Sequence, residues 1–294
     1  MTGSSDVPEY PPISIICGPT ASGKTACAVK LSQSYPVEII SADSRQVIRR
    51  LDIGTAKPSL EERKQVRFHL IDLIEPGERY TAFQYIEEAE RAIQEVLARD
   101  KIPVVVGGTG LYLRALTEGV VETGRDDPAL RRRLENQMAE LGPKAMHQRL
   151  REIDPDEAAK VHPNNKVRVI RALEIYYQTG APKTELARTG RYRRAPYEFE
   201  FFCIIPERRS LYERIGRRVE AMIAQGLVKE VERLVQQGLA RQIRSANVIG
   251  YNEILDYLEN RLTLDKAVSL IKQNSRRYAK RQTTWLKHQV EGRF

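Results

Sequence analysis

The stretch Gly18-Pro-Thr-Ala-Ser-Gly-Lys-Thr25 directly follows the apolar, β-branched run Ile13–Cys17 and opens a segment with helical periodicity. A glycine-containing turn between a strand and a helix, ending in Lys and Thr, is typical of a phosphate-binding loop. Backbone amides converge on a phosphate in such a turn, the helix N-terminus adds partial positive charge, and Lys24 adds a full one. Thr25 offers a hydroxyl to Mg²⁺. We therefore predict a diphosphate site with Mg²⁺ as cofactor, although the motif fits a diphosphate inside ATP as well as one on a prenyl alcohol.

Further apolar runs place this loop in a sheet. The runs that alternate with helical segments such as Ala82–Arg99 are Val37–Ile40, His69–Leu73 and Pro103–Val106. This alternation is typical of an α/β protein with a parallel sheet, in which ligands bind at the carboxyl ends of the strands. The predicted fold class is therefore α/β, with a P-loop NTPase-like parallel sheet core, a mostly helical insertion domain and C-terminal helices.

The second half of the chain is mainly helical. Charged amphipathic patterns replace the strand signal over residues 122–195, Tyr197–Ile205 is predicted as one more strand, and the final helix is predicted over Leu264–Leu286. The predicted organisation is a tail at residues 1–12, a core of 13–121 together with 196–294, and a helical insertion at 122–195.

The composition fits an enzyme-sized globular protein with an anionic partner. The 294 residues are 41% hydrophobic and 30% charged, with a formal net charge of +9. An excess of Lys and Arg favours a polyanion because binding releases counterions from phosphates. The first twelve residues contain no apolar run, and the Cys and His residues show no disulfide or zinc spacing, so we expect a cytoplasmic protein without membrane attachment. No heptad seam is visible, which favours a monomer.

Two more elements follow predicted strands and therefore lie at the same sheet edge as the loop. Asp43, in Ser41-Ala-Asp-Ser-Arg-Gln46, comes just after one strand and is placed to reach the site, although an aspartate here could instead cap a turn or helix. The run Val104-Val-Val-Gly-Gly-Thr-Gly110 ends in glycines where a kinase or ATPase often has a metal-binding aspartate. This difference counts against phosphoryl transfer.

Seven blocks, in order and spread over nearly the whole chain, carry a family resemblance. They are Gly18–Thr25, Ala42–Val47, Asp52–Pro58, Gly107–Tyr112, Arg168–Glu174, Ile249–Tyr251 and Tyr278–Gln282. Together they resemble the bacterial tRNA dimethylallyltransferase family. The departures, at Ile48, Arg50, Arg67-Phe68 and Asn252, concern local contacts. The resemblance implies transfer of a dimethylallyl group from dimethylallyl diphosphate to the exocyclic 6-amino group of an adenosine adjacent to the anticodon in tRNA.

This reaction requires a neutralised leaving diphosphate and a nucleophile held in line behind the reacting carbon. The resemblance implies that the diphosphate is bound by Gly18, Thr20, Ala21, Ser22, Gly23, Lys24, Thr25 and Arg218, with Thr25 as the metal ligand. It makes Asp43 the base for the adenine amine, which is too weak a nucleophile to react unaided, and it places Thr109 near the reacting end. For Arg218 a solvated basic helix, shared with Arg214 and Arg217, is the alternative.

An adenine in an anticodon loop must leave its stack before it reacts, so the protein needs surfaces that grip RNA. The resemblance implies tRNA contacts from Asp43, Ser44, Arg45, Gln46, Thr109, Arg131, Arg168 and Arg171. The final predicted helix also carries a basic stripe at four-residue spacing, formed by Lys272, Arg276 and Lys280, for which a solvated face is the alternative. The expected partners are the tRNA anticodon stem-loop and dimethylallyl diphosphate.

Three other functions remain open at this point. A small-molecule kinase or ATPase would use the same loop and Mg²⁺. Prenyl transfer to free AMP would need only the first half of the chain. A non-catalytic RNA-binding protein would explain the charge but not Asp43 beside a complete phosphate loop.

Overall fold

The computed structural model describes residues 11–121, 127–189, 192–193 and 195–289. Most of the predicted tail, residues 1–10, lies outside this part of the chain. The chain forms two compact units, Met1–Glu118 with Ala195–Phe294, and Gly119–Arg194.

The first unit begins with alternating strands and helices. They are β1 (Ile13–Cys17), α1 (Lys24–Leu31), β2 (Val37–Ala42), α2 (Leu60–Gln65), β3 (Phe68–His69), α3 (Ala82–Leu97), β4 (Ile102–Gly107) and α4 (Gly110–Glu118). The second unit contains β5 (Val120–Val121), α5 (Pro128–Ile153), α6 (Pro155–Lys160), α7 (Lys166–Thr179), α8 (Lys183–Arg188) and β6 (Tyr192–Arg193). The chain then returns to the first unit with β7 (Phe199–Cys203), α9 (Arg208–Ala224), α10 (Leu227–Gln236), α11 (Ala240–Ala246), α12 (Tyr251–Leu258) and α13 (Leu264–Gln289).

The sheet of the first unit is parallel throughout, in the order β3-β2-β4-β1-β7. This arrangement confirms the predicted α/β class. The strand predicted at His69–Leu73 is wrong in extent, because β3 ends at His69 and the backbone turns into the left-handed region at Leu70 and Asp72 (φ 59° at both). A run of apolar residues cannot continue a strand through that conformation.

The strand register brings four loops to one edge of the sheet. Cys17 pairs with Gly107 on one side and with Cys203 on the other, and Ala42 also pairs with Gly107. All four residues end their strands. The phosphate-binding loop, the Asp43 loop and the Gly107–Gly110 turn therefore start side by side.

The helices pack against the sheet and against one another through buried apolar residues. Helix α3 begins with a capping box between Thr81 and Gln84, and it buries Tyr85, Ile86 and Ile93. Helices α9 to α13 pack mainly on one another around fully buried Leu227, Tyr251 and Ile254, and α13 also contacts α4. None of the helices described is both long and apolar enough to cross a membrane.

The second unit is mainly helical and also contains a small two-stranded sheet. Helices α5 and α7 pack together around a core that includes Leu134, Met146 and Leu173. Helix α5 bends at Gly142 (φ 80°), just before Pro143, where the sequence predicted a break. The pairing of β5 with β6 was not predicted, because strands of two residues carry no periodic signal.

Candidate active site

The phosphate-binding loop connects the end of β1 to the first turn of α1. Ala21 and Gly23 take positive φ values (63° and 100°), and the Lys24 ammonium bends back to donate a hydrogen bond to the Pro19 carbonyl (2.8 Å). A loop folded in this way directs several backbone amides toward one point and is suited to an anion. The conformation of this loop is therefore suited to an anion.

Two arginines of α9, far from the loop in the sequence, contact it in the structure. Arg218 of α9 donates a hydrogen bond to the Thr20 hydroxyl (3.1 Å), and Arg214 donates one to the Ser22 carbonyl (3.3 Å). These contacts decide against the alternative of a fully solvated basic helix for Arg218.

The charges at the loop influence one another. Burial lowers the pKa of Lys24 to about 8, an effect that the Asp43 carboxylate opposes and the Arg218 guanidinium reinforces. Burial also lowers the pKa of Arg218, and Asp43 again opposes the shift. Lys24, Arg218 and Asp43 therefore share one electrostatic site, in which two desolvated cations are available to an anionic ligand.

Asp43 lies at the start of the loop after β2, in a turn that its own carboxylate stabilises. Its Oδ1 accepts a hydrogen bond from the Arg45 backbone amide (2.8 Å). The Ser44 amide donates to the Thr109 hydroxyl (3.0 Å), and the Thr109 amide donates to the Ala42 carbonyl (3.2 Å). Thr109 thus anchors the loop that carries Asp43 from both ends.

The next two residues of that loop are held by the protein itself. Arg45 donates a hydrogen bond to the Ala246 carbonyl (2.9 Å), and Gln46 donates one to the Ala56 carbonyl (3.0 Å). Both residues were predicted to contact tRNA. In the structure these side chains also hold the loop against two other parts of the chain. Arg45 connects it to the end of α11, and Gln46 connects it to the segment that contains Ala56.

Helix α13 supplies two side chains that the sequence analysis left without a role. Gln282 accepts a hydrogen bond from the Thr20 amide and donates one to the Gly108 carbonyl, both at 2.8 Å. One turn earlier, Tyr278 lies near Thr109, and burial and the nearby Asp43 charge raise the pKa of Tyr278. Both lie in the block Tyr278–Gln282, but their four-residue spacing alone indicates only a shared helix face.

Close packing explains the glycines of the Gly107–Gly110 turn. A Cβ on Gly108 would lie 2.5 Å from the Gln282 amide nitrogen and 2.7 Å from the Gly18 carbonyl oxygen. A Cβ on Gly110 would lie 2.5 Å from the indole ring of Trp285. Larger residues at these two positions would push α13 away from the phosphate-binding loop.

A cavity of about 1690 Å³ connects these elements within the first unit. The predicted site residues that line it are Thr20, Ala21, Gly23, Lys24, Thr25, Asp43, Arg45, Gln46 and Arg218. Among the described residues that line it, eleven are Lys or Arg (Lys24, Arg45, Arg49, Arg50, Lys57, Arg63, Arg214, Arg217, Arg218, Arg277 and Arg281) and five are Asp or Glu (Asp43, Asp52, Glu62, Asp72 and Glu253). This excess of cations suits a ligand with several phosphates.

The described residues that line the cavity do not form a cluster of metal-ligating side chains. No group of three or more His, Cys, Asp or Glu side chains that could hold an ion occurs in the described part of the chain. Thr25 and Asp43 both line the cavity. This sparse donor set fits Mg²⁺, which usually keeps its waters and binds through one or two protein oxygens together with substrate phosphates.

The three arginines predicted for tRNA on the insertion behave differently from one another. Arg131 and Arg171 both pair with Glu174, at 3.4 and 2.8 Å, and the Glu174 side chain is fully buried. Arg168, at the N-terminal end of α7, is exposed. The sequence did not identify Glu174 as the residue that organises this cluster, because the packing of α5 on α7 brings Arg131 to it.

Comparison with known proteins decides the family. Residues 46–289 match the model of the family described as IPP transferase. The chain belongs to the IPP transferase family. It is 45% identical to tRNA dimethylallyltransferase 1 of Pelobacter propionicus over 97% of this chain and 91% of that protein, and 46% identical to tRNA dimethylallyltransferase of Thermotoga maritima over 95% and 90%.

Solved structures of the family have the same fold. A tRNA isopentenylpyrophosphate transferase from Bacillus halodurans is 41% identical, with a TM-score of 0.68 over 96% of this chain and 88% of that chain. A eukaryotic dimethylallyltransferase acting on tRNA is 30% identical, with a TM-score of 0.83 over 97% of this chain and 73% of that chain. The family resemblance inferred from seven sequence blocks is therefore confirmed.

Proposed function

We propose that this IPP transferase family member transfers a dimethylallyl group from dimethylallyl diphosphate to the 6-amino group of an adenosine adjacent to the anticodon in tRNA, and releases diphosphate. The observation that carries the proposal is that Lys24, Arg218 and Asp43 line one cavity and influence one another's charge. It combines a cationic site for a leaving diphosphate with a carboxylate suited to a proton transfer.

The donor diphosphate binds at the loop Gly18–Thr25. The loop amides, Lys24 and Arg218 neutralise the charge that grows on the diphosphate as its bond to the prenyl carbon breaks. When bound, Mg²⁺ supplies further neutralisation of the diphosphate, and the Thr25 hydroxyl is the protein oxygen that would hold it. The expected cofactor is therefore Mg²⁺.

Asp43 acts on the acceptor. As the adenine nitrogen forms its bond to the prenyl carbon, Asp43 takes the proton that leaves the amino group. The carbon–oxygen bond breaks, the carbon–nitrogen bond forms, the electron pair of the broken bond goes to the diphosphate, and the proton goes to Asp43. Thr109 and Ser44 keep the carboxylate at a constant position through their hydrogen bond (3.0 Å).

The acceptor is a polynucleotide rather than a free nucleotide. A cavity of about 1690 Å³ with eleven Lys or Arg side chains in its lining far exceeds the needs of one diphosphate and one adenine. Arg277 and Arg281 of α13, which line the cavity, bind the RNA backbone around the flipped base. The helical insertion adds a further RNA contact through its exposed Arg168, while Arg131 of α5 pairs with Glu174 and so connects α5 to α7; Arg171 pairs with Glu174 on the same helix. The protein acts as a cytoplasmic monomer.

A reconstituted reaction tests the proposal. The purified protein is incubated with dimethylallyl diphosphate, Mg²⁺ and unmodified tRNA, and the digested nucleosides are analysed by mass spectrometry for a prenylated adenosine. Parallel reactions replace tRNA by AMP, or dimethylallyl diphosphate by ATP with an assay for released phosphate. Prenylated adenosine only in tRNA supports the proposal. Efficient transfer to AMP, or phosphate release from ATP without prenylation, would favour one of the other functions.

A further inference from the structure

Gln282 connects two loops that are far apart in the sequence. Its carboxamide oxygen accepts a hydrogen bond from the Thr20 amide, and its carboxamide nitrogen donates one to the Gly108 carbonyl. Both distances are 2.8 Å, and the residue is only 8% exposed. The orientation of the carboxamide follows from its partners, because a backbone amide can only donate and a carbonyl can only accept.

The first partner of Gln282 belongs to the diphosphate loop. The Thr20 amide points at Gln282 and is therefore not directed at a phosphate. The hydroxyl of the same residue accepts the hydrogen bond from Arg218 (3.1 Å). Thr20 is thus held by Gln282 on its backbone and by Arg218 on its side chain, which determines how the rest of the loop presents its amides.

The second partner belongs to the turn that anchors Asp43. Gly108 immediately precedes Thr109, whose hydroxyl accepts the hydrogen bond from the Ser44 amide. Gly108 also lies so close to Gly18 that a Cβ at position 108 would be 2.7 Å from the Gly18 carbonyl oxygen. The phosphate-binding loop and the Gly107–Gly110 turn therefore touch at the point where Gln282 joins them.

We propose that Gln282 is a positioning residue for the transfer reaction: it sets the spacing between the loop that binds the donor diphosphate and the turn that anchors Asp43. This inference rests on the proposed function. In-line transfer requires the reacting atoms at a near-attack distance, and a misplacement of about 1 Å can cost about 10²-fold in rate. A carboxamide is suited to this task because it pairs with an amide and a carbonyl at once without adding charge beside the diphosphate.

The test compares three variants of the full-length protein. Gln282→Leu keeps the approximate size and removes both hydrogen bonds. Gln282→Glu keeps the acceptor for Thr20, but at neutral pH it turns a carboxylate toward the Gly108 carbonyl. Gln289→Leu is the matched control, because Gln289 lies on the same helix and bonds to Glu118 outside the cavity lining.

Three measurements separate positioning from simple stabilisation. They are the affinity for inorganic pyrophosphate with Mg²⁺ by calorimetry, the kcat and the KM values for dimethylallyl diphosphate and tRNA, and hydrogen exchange of residues 18–25. For Gln282→Leu we expect kcat/KM for the donor to fall about 10²-fold, pyrophosphate affinity to fall at least tenfold, and the loop amides to exchange faster, with KM for tRNA within twofold of the wild type. Gln289→Leu should match the wild type.

The Glu variant gives a second, independent readout. Protonation restores a donor toward Gly108, so the pyrophosphate affinity of Gln282→Glu, relative to the wild type at the same pH, should recover as the pH falls from 7.5 to 5.5. If Gln282→Leu does not fold at the assay temperature, this pH profile decides the question.

Unchanged pyrophosphate affinity together with unchanged kcat in the folded variants would overturn the inference. Because pyrophosphate binding does not depend on the reaction, a wild-type protein that fails to prenylate tRNA would contradict the proposed function separately.

Discussion

The Thr109 hydroxyl accepts a hydrogen bond from the backbone amide of Ser44 at 3.0 Å, and this contact joins the glycine-rich turn after β4 to the loop that begins with Asp43. Thr109→Val removes the acceptor while preserving the shape of the side chain. We expect kcat to fall about 10²-fold because the carboxylate loses its constant position. Thr109→Ser keeps the hydroxyl and should retain at least a third of wild-type kcat. Equal rates for the Val and Ser variants would show that the contact does not position Asp43.

The proposed base is tested by Asp43→Asn. The substitution keeps the acceptor for the Arg45 amide and removes the group that takes the proton, so single-turnover prenylation should slow by about 10²–10⁴-fold while tRNA affinity stays near the wild-type value. Asp100→Asn, at the opposite end of the sheet before β4, is the control for removal of one negative charge. A near-wild-type single-turnover rate for Asp43→Asn would exclude Asp43 as the base.

The lowered pKa of Lys24 predicts how donor use depends on pH. Since the pKa of Lys24 is about 8, its positive charge is lost as the pH rises through that value. The ratio kcat/KM for the donor reports the free enzyme and should therefore decrease above pH 8. Lys24→Arg keeps the charge at every pH tested and should remove this decrease, even if its activity is lower. A decrease at the same pH in both proteins would assign it to another group.

The same shift predicts a change in stability. The unfolded chain holds the Lys24 proton up to its ordinary pKa of 10.5, whereas the folded protein releases it near 8. Between these values the unfolded state binds more protons, so the free energy of unfolding of the wild type should rise with pH relative to that of Lys24→Met. Urea unfolding of both proteins at pH 7.5 and 9.5 measures the difference. A difference that stays constant or shrinks would contradict the lowered pKa.

A buried carboxylate stabilises the opposite end of the sheet. The Glu38 side chain, 2% exposed, pairs with His69 (2.6 Å), Arg99 (2.7 Å) and Lys101 (2.9 Å). Burial alone would raise its pKa, but the hydrogen bonds from Arg99, His69 and Lys101 outweigh burial and lower the pKa of Glu38 to about 2. The stabilisation is therefore complete above pH 4.5 and is lost as the pH falls toward 2.

We expect Glu38→Gln to lower the free energy of unfolding by about 2 kcal/mol at pH 7, the scale of hydrogen bonds to a charged group. The difference from the wild type should shrink between pH 4.5 and 2. Exposed Glu95→Gln is the control and should have little effect at either pH. If the loss at pH 7 persists unchanged at pH 3, the network does not act through the charge of Glu38.

The RNA surface on α13 is tested by the salt dependence of tRNA binding. Arg277 and Arg281 line the cavity, whereas Lys272 of the predicted stripe is paired with Glu220 (2.7 Å) and Lys280 is exposed. Each phosphate contact that is removed should flatten the log–log salt slope by about 0.7. The double variant Arg277→Ala with Arg281→Ala should thus flatten it by about 1.4, and Lys272→Ala with Lys280→Ala by no more than about 0.7. The reverse order would place the RNA on the stripe.

Much of the candidate site could be predicted from the sequence because its elements are local. The loop Gly18–Thr25 carries its own turn, charge and helix start, and its position after an apolar run fixes its place at the sheet edge. Asp43 and Thr109 follow strands in the same way. The residues that were not found, Gln282, Tyr278 and Glu174, lie on helices where a polar residue at helical spacing is usually solvated. Their roles depend on partners 43 to 262 positions away in the chain.

The sequence by itself determined the α/β class, the turn between β1 and α1 and the family, because short-range patterns of glycine, charge and hydrophobicity specify each of these. Only the tertiary structure decided how the donor loop and the Asp43 loop are held together. The packing of α13 brings Gln282 between Thr20 and Gly108, and the packing of α9 brings Arg218 to the Thr20 hydroxyl. No local pattern specifies such contacts, since they exist only when helices from the end of the chain pack beside loops from its first half.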